Sequence, residues 1–235
     1  MGCACAELRH DCRLVVLTGG PGAGKTAVLE VVRRAFCEHI LVLPESATVL
    51  FGGGFPRHDT DAGQRAAQNA IFHVQRSMET MSREEGRVAV ALCDRGTLDG
   101  LAYWPGGIDA ACRALGIARE AELARYQAVI HLRTPAADRG YDHSNPVRRE
   151  SAAEALALDA RVLAAWDGHP HRVVIESEGE FLHKIAHAVQ AIRDQVPECC
   201  RAHAIAELAE PAQEAGCVAV PGASRGRSGA DRGPG

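Results

Sequence analysis

The stretch Gly19-Gly20-Pro21-Gly22-Ala23-Gly24-Lys25-Thr26 decides the fold of this chain. Four residues separate Gly19 from Gly24, and Lys-Thr follows at once. Before it, Leu14-Val15-Val16-Leu17-Thr18 is an apolar run with β-branched residues and reads as a buried parallel strand; after it, Thr26 to Cys37 reads as a helix. Between a strand and a helix this pattern is a Walker A loop. Its glycines let successive backbone N–H groups turn inward onto phosphate oxygens, and the start of the helix adds the positive end of its dipole. Lys25 offers a point charge to β- and γ-phosphates, and Thr26 offers a hydroxyl to Mg²⁺. Gly19, Gly20, Pro21, Gly22, Ala23, Gly24, Lys25 and Thr26 are therefore the expected binding residues for ATP, with GTP possible and Mg²⁺ as the companion ion.

Working outward, apolar runs at Ile40–Leu43, Val88–Leu92, Ala128–Leu132 and Arg172–Ile175 read as four more strands. Helical patterns fill Asp61–Ser82, Ala118–Tyr126, Glu150–Trp166 and Glu180–Ile192, while Phe51–Arg57 and Leu101–Leu115 read as Gly-rich loop and irregular chain. Strands alternating with helices imply a three-layer α/β fold of the P-loop NTPase type, with about five parallel strands and helices on both faces. Residues 1–196 are expected to form that domain. Residues 197–235, rich in Ala, Gly and Pro, are expected to be a largely disordered tail.

With 26 Lys and Arg against 30 Asp and Glu, the net charge of -4 leaves no basic footprint for nucleic acid. No run is long enough to cross a bilayer and no secretory segment leads the chain, so a cytoplasmic location with reduced thiols is expected. Of nine cysteines, Cys3, Cys5 and Cys12 cluster early but lack a second ligand pair at a familiar spacing, so free thiols are favoured over a metal site. Lys25 and Lys184 are the only lysines, which makes Lys25 stand out.

Asp94, in Cys93-Asp94-Arg95 at the end of the third strand, stands where a Walker B carboxylate would bind Mg²⁺, directly or through water. Asp99 is either a helper carboxylate or an N-cap, and the cap is favoured. Glu45, after Pro44 at the end of the second strand, faces the same edge. It is either a base for a substrate hydroxyl or a solvated loop cap. Arg65, Gln68 and Asn69 lie off the apolar face of the long helix, as second-substrate contacts or as a wet surface. Thr134 to Arg149 is a polar excursion. Arg139, Arg148 and Arg149 on it suit phosphate oxygens, and are either a lid that shields a transferring group from water or an exposed basic loop. His183 and His187 are spaced like zinc ligands but lack a third, and read as a wet helix face.

These residues together resemble a family of small stand-alone ATP-binding proteins labelled AAA-type ATPase. The family is related to the nicotinamide riboside kinases and to P-loop nucleoside and nucleotide kinases. The resemblance rests on Gly19-x4-Gly24-Lys25-Thr26, Pro44-Glu45, Cys93-Asp94-Arg95-Gly96-x2-Asp99 and Asn145–Glu150, and covers Leu14 to Ile192. It implies Lys25 and Thr26 on phosphate and magnesium, Asp94 on the metal, Arg95 on substrate or phosphate, Glu45 as base, and Arg139, Arg148 and Arg149 as lid. Two functions are then expected to compete: phosphoryl transfer from ATP to a small hydroxyl-bearing acceptor, or a slow nucleotide switch acting on an unidentified protein partner. Guanine readers of the Asn-Lys-x-Asp kind are absent around either lysine, which favours ATP.

Overall fold

Strand β1 (Arg13–Gly19) alternates between two apolar cores, with Val15 and Leu17 packed on one side of the sheet and Leu14 and Val16 on the other. That period of two, with both faces apolar, is the mark of a strand buried in the middle of a parallel sheet. In the computed structural model, which describes residues 9–135, 151–177 and 180–201, β1 is central. The five strands run in the order β2-β3-β1-β4-β5, all parallel. The others are β2 (Ile40–Leu43), β3 (Val90–Asp94), β4 (Ala128–Leu132) and β5 (Arg172–Ile175).

Helices α1 (Lys25–Ala35) and α7 (Phe181–Arg193) cover one face, through Val28, Leu29, Val32, Ala188, Val189 and Ile192. The other face carries α3 (Asp61–Glu85), α4 (Gly107–Leu115), α5 (Arg119–Leu123) and α6 (Ala152–Ala165). Trp166, fully buried, fills the middle of that layer with its ring edge-on to Tyr126. Helix α6 starts on a capping box, in which Ser151 and Glu154 satisfy each other's backbone N–H groups.

Three expected segments differ. Leu101–Leu115 is ordered as a 3₁₀ turn (Asp99–Tyr103) followed by α4, because Gly106 takes a left-handed cap and the helix then buries Ala111. Phe51 and Gly52, expected in loop, close α2 (Ser46–Gly52). Past Pro197, α8 (Glu198–Arg201) adds Cys200 to the packed core. Strand β3 ends on Asp94, as expected, and its ladder with β1 pairs Leu17 with Asp94. Among the described residues no helix is long and apolar enough to cross a membrane.

Candidate functional site

The loop after β1 is built by glycine. At Gly19, φ is +139°, and a Cβ would sit 2.1 Å from the Leu132 carbonyl oxygen on β4. Gly24 caps α1 in the left-handed region (φ 97°), and no side chain bonds to the helix start there. Nor does an acidic residue occupy the first turn, so the amide end of α1 keeps its attraction for an anion. Lys25 is half-buried, and its Nζ donates to the Gly19 carbonyl at 3.3 Å. Burial, aided by the neighbouring Arg95, pulls its pKa down to about 8 against the pull of Asp94, Glu45 and Asp99. A phosphate arriving at the loop would reverse that shift by supplying negative charge.

Asp94 ends β3 beside this loop. Its Oδ1 is buried with no hydrogen-bond partner among the described residues, and burial raises its pKa, with Glu45 and Asp99 adding to the rise. A buried carboxylate oxygen left without a donor is costly unless something else fills the role. The donor chemistry suits a magnesium ion, for which Asp94 and the hydroxyl of the exposed Thr26 would be the protein oxygens.

Arg95 follows at φ 72°, the one non-glycine with positive φ among the described residues, as active-site backbones often are. That turn aims its side chain back across the sheet edge. Nε donates to Glu45 Oε1 at 2.7 Å, and Nη1 donates to the Gly19 carbonyl at 3.1 Å. Burial works against the Arg95 charge, but Tyr103, Asp99 and Glu45 hold its pKa above the usual value. Burial likewise works against the Glu45 carboxylate. It is overcome by Arg95 and by the Thr48 hydroxyl 2.6 Å from Oε2, so the pKa ends below normal. Thus Lys25, Glu45, Asp94 and Arg95 do assemble at one edge, with Glu45 tied up in an ion pair.

Two carboxylates carry more structure than their sequence context suggested. Asp99 is neither a free helper nor an N-cap, since Leu98 holds the cap position. It is buried, and accepts from the Thr18 hydroxyl, from Gly96 N at 2.6 Å and from Trp166 Nε1 at 3.2 Å. This locks the turn after Arg95 onto β1. Asp159 on α6 accepts from Gly20 N at 2.9 Å and bonds His131 Nε2 at the same distance, with Arg133 Nε 3.1 Å away. It ties the phosphate loop to α6. The available signal was its place in the buried stripe Ala155, Leu158, Val162, where a charged residue needs a partner.

Beside the loop lies a cavity of about 1200 Å³ between α2, α3 and the 3₁₀ turn. Pro21, Glu45 and Arg95 form its inner end; Gln68, Phe72, Tyr103 and Trp104 are among its walls. Gln68 Oε1 is buried there without a hydrogen-bond partner among the described residues. Arg57, whose guanidinium lies 5.0 Å from the Phe51 ring centre, and Arg161 add positive charge to the lining. Of the trio on α3, only Gln68 reaches the cavity. Arg65 is exposed opposite Asp61, and Asn69 faces solvent. His183 and His187 are exposed as expected. The lid arginines Arg139, Arg148 and Arg149, and Cys3 and Cys5, lie outside the described residues.

Residues 14–183 match a family model described as AAA domain, about seven-tenths of the chain. Two solved structures share the fold. A NadR protein in complex with NR has a TM-score of 0.57 and 18% identity, over 80% of this chain and 52% of that one. A NadR protein in complex with NAD and AMP-PNP has a TM-score of 0.56 and 16% identity, over 86% of this chain and 53% of that one. The chain thus spans about half the length of these structures. No curated protein matches it.

Proposed function

This chain belongs to the AAA domain family, and from that premise we propose that it binds Mg–ATP at Gly19–Thr26 and transfers the γ-phosphoryl group to a hydroxyl of a small, nucleoside-like acceptor in the adjoining cavity. The observation that carries this reading is the cavity itself. It opens on Glu45 and Arg95 at the phosphate-loop edge, and its wall holds a buried Gln68 oxygen with no hydrogen-bond partner among the described residues. A module that only hydrolysed its nucleotide would need no such chamber. The NR and the AMP-PNP in the two NadR structures are the kinds of acceptor and donor this arrangement would take.

In phosphoryl transfer the protein mainly positions groups and stabilises charge. Lys25 leaves the Gly19 carbonyl for the β- and γ-phosphates. Thr26 and Asp94 would hold magnesium, which neutralises charge on the phosphate oxygens. Arg95 exchanges one of its two partners for a transferring oxygen, which frees the Glu45 carboxylate to accept a hydrogen bond from the acceptor hydroxyl. Because the transition state is loose, a carboxylate of low proton affinity still serves by orienting that hydroxyl.

The pairing of Glu45 with Arg95 also supports a second reading: a nucleotide switch that hydrolyses slowly and signals to a protein partner. The test is ATP consumption with Mg²⁺, with and without a panel of nucleosides that includes nicotinamide riboside, read by mass with Lys25→Ala as the blank. A gain of about 80 Da on one acceptor supports the kinase. Acceptor-independent hydrolysis that vanishes in the blank supports the switch and discards the kinase.

A further inference from the structure

At the opposite end of the sheet from the phosphate loop, three metal-ligating side chains converge. The Cys37 sulfur, the His39 imidazole and the Cys200 sulfur offer ligand atoms that all lie within 4.8 Å of one another. They come from two places in the chain. Cys37 and His39 stand in the turn between α1 and β2, and Cys200 on α8. Each is held by its own backbone. Ile40 N bonds the Cys37 carbonyl at 3.1 Å, Ala89 N the His39 carbonyl at 2.8 Å, and Cys200 N the Pro197 carbonyl at 2.9 Å.

The spacing suits zinc. With Zn–S of about 2.3 Å and Zn–N of about 2.0 Å, a tetrahedral ion sets its sulfur and nitrogen ligands roughly 3.6 Å apart. Cys37 Sγ and His39 Nδ1 are 3.8 Å apart. His39 and Cys200 are buried at 4% and 3% exposure and Cys37 is half-exposed, so a dry pocket has one wet wall through which an ion could enter. A second observation points the same way. The His10 ring lies 4.9 Å from that of His39, and its Nε2 is buried with no hydrogen-bond partner among the described residues.

We propose that Cys37, His39 and Cys200 bind a zinc ion, and that this ion staples α8 to the turn before β2. Two soft thiolates with an imidazole select zinc over the hard cations that the phosphate loop would use. The role is structural. The ion sits where the strands begin, away from the nucleotide edge, and joins segments that are 161 residues apart, from His39 to Cys200. The inference is independent of the kinase reading.

The full chain, purified under reductant after growth with zinc, is expected to retain about one zinc per molecule. Exchange for cobalt should give a thiolate-to-cobalt charge-transfer band. Cys37→Ser and Cys200→Ser are each expected to lower metal affinity by roughly tenfold or more. Cys112→Ser, in the opposite apolar layer, should leave it unchanged. Chelation should lower Tm by about 5–10 °C while nucleotide turnover at room temperature persists. The proposal is overturned if the wild-type chain takes up cobalt without the band. It is equally overturned if Cys37→Ser and Cys200→Ser keep their full zinc, or if Cys37 and Cys200 are recovered as a disulfide from reduced, zinc-grown protein. Should a variant fail to fold, the wild-type cobalt spectrum decides alone.

Discussion

Two clusters of charge lie close to β3, and they differ in how their valences are filled. Around Glu79 and Glu122, every carboxylate oxygen has a donor, although Arg125 Nε, 3.5 Å from Glu122, makes no hydrogen bond among the described residues. Glu79 takes Arg125 on one oxygen, and Tyr126 at 2.7 Å and Gln75 at 2.8 Å on the other. Glu122 takes Arg76 at 2.5 Å on one oxygen and Thr97 at 2.9 Å on the other. At the phosphate-loop edge, by contrast, Asp94 has an oxygen with no donor among the described residues, Lys25 leans on a carbonyl, and Arg95 is bent to a positive φ. A closed network rigidifies a core, whereas an open one holds binding energy in reserve for a ligand. The Glu79 network therefore reads as scaffold, and the edge as site.

The largest effect should come from opening the closed network. Glu79→Gln takes from Arg125 its nearer counter-charge and leaves it only Glu122, 3.5 Å away. It is expected to cost about 3–5 kcal/mol and to lower Tm by roughly 10 °C, measured by calorimetry, while the Kd for nucleotide stays within about twofold. A variant as stable as wild type, with weakened nucleotide binding, would erase the distinction between the clusters.

Lys25→Ala should do the reverse, with turnover down by about 10²–10³-fold and Tm held or raised, because a half-buried cation has been removed. The same side chain supplies a pH signature. With a free-state pKa of about 8, Lys25 is charged below that value and phosphate affinity is at its plateau there. As pH rises through 8 the proton must be bound along with the phosphate, so affinity should fall by up to about tenfold per pH unit. In Lys25→Arg the decline should be absent over pH 7–10, since arginine stays charged. A wild-type Kd that is flat from pH 7 to 10 would show that this lysine keeps its proton throughout.

A smaller change sharpens the boundary between scaffold and site. Asp159→Asn weakens the tie from α6 to Gly20 and is expected to raise the nucleotide Kd by about tenfold, with only a modest loss of Tm. Smallest should be Gln68→Ala, which removes from the cavity wall the oxygen that has no partner among the described residues. The acceptor KM is expected to rise about three- to tenfold with the nucleotide KM unchanged. An equal rise in both would mean that the cavity does not serve an acceptor.

Much of this was legible one residue at a time. The strands β2, β4 and β5 fall where the apolar runs placed them, and Lys25, Asp94, Arg95 and Glu45 meet because all lie just past the carboxyl ends of parallel strands or in the loops there. Asp159 and Asp99 were harder to read. A charged residue inside an apolar stripe announces a partner but not which one. Here the partners are Gly20 and His131 for Asp159, and Thr18, Gly96 and Trp166 for Asp99. Helix α4 escaped notice because its glycine cap reads locally as a loop.

By itself the sequence determined the phosphate loop and the sheet, because strand period, glycine freedom and helix starts are local properties of neighbouring residues. Only the tertiary structure decided that Glu45 is paired with Arg95, that Gln68 alone of its trio reaches the cavity, and that Cys37, His39 and Cys200 meet. Each of those depends on which distant elements pack together, and crossover topology and the register of the sheet, not spacing along the chain, set those distances.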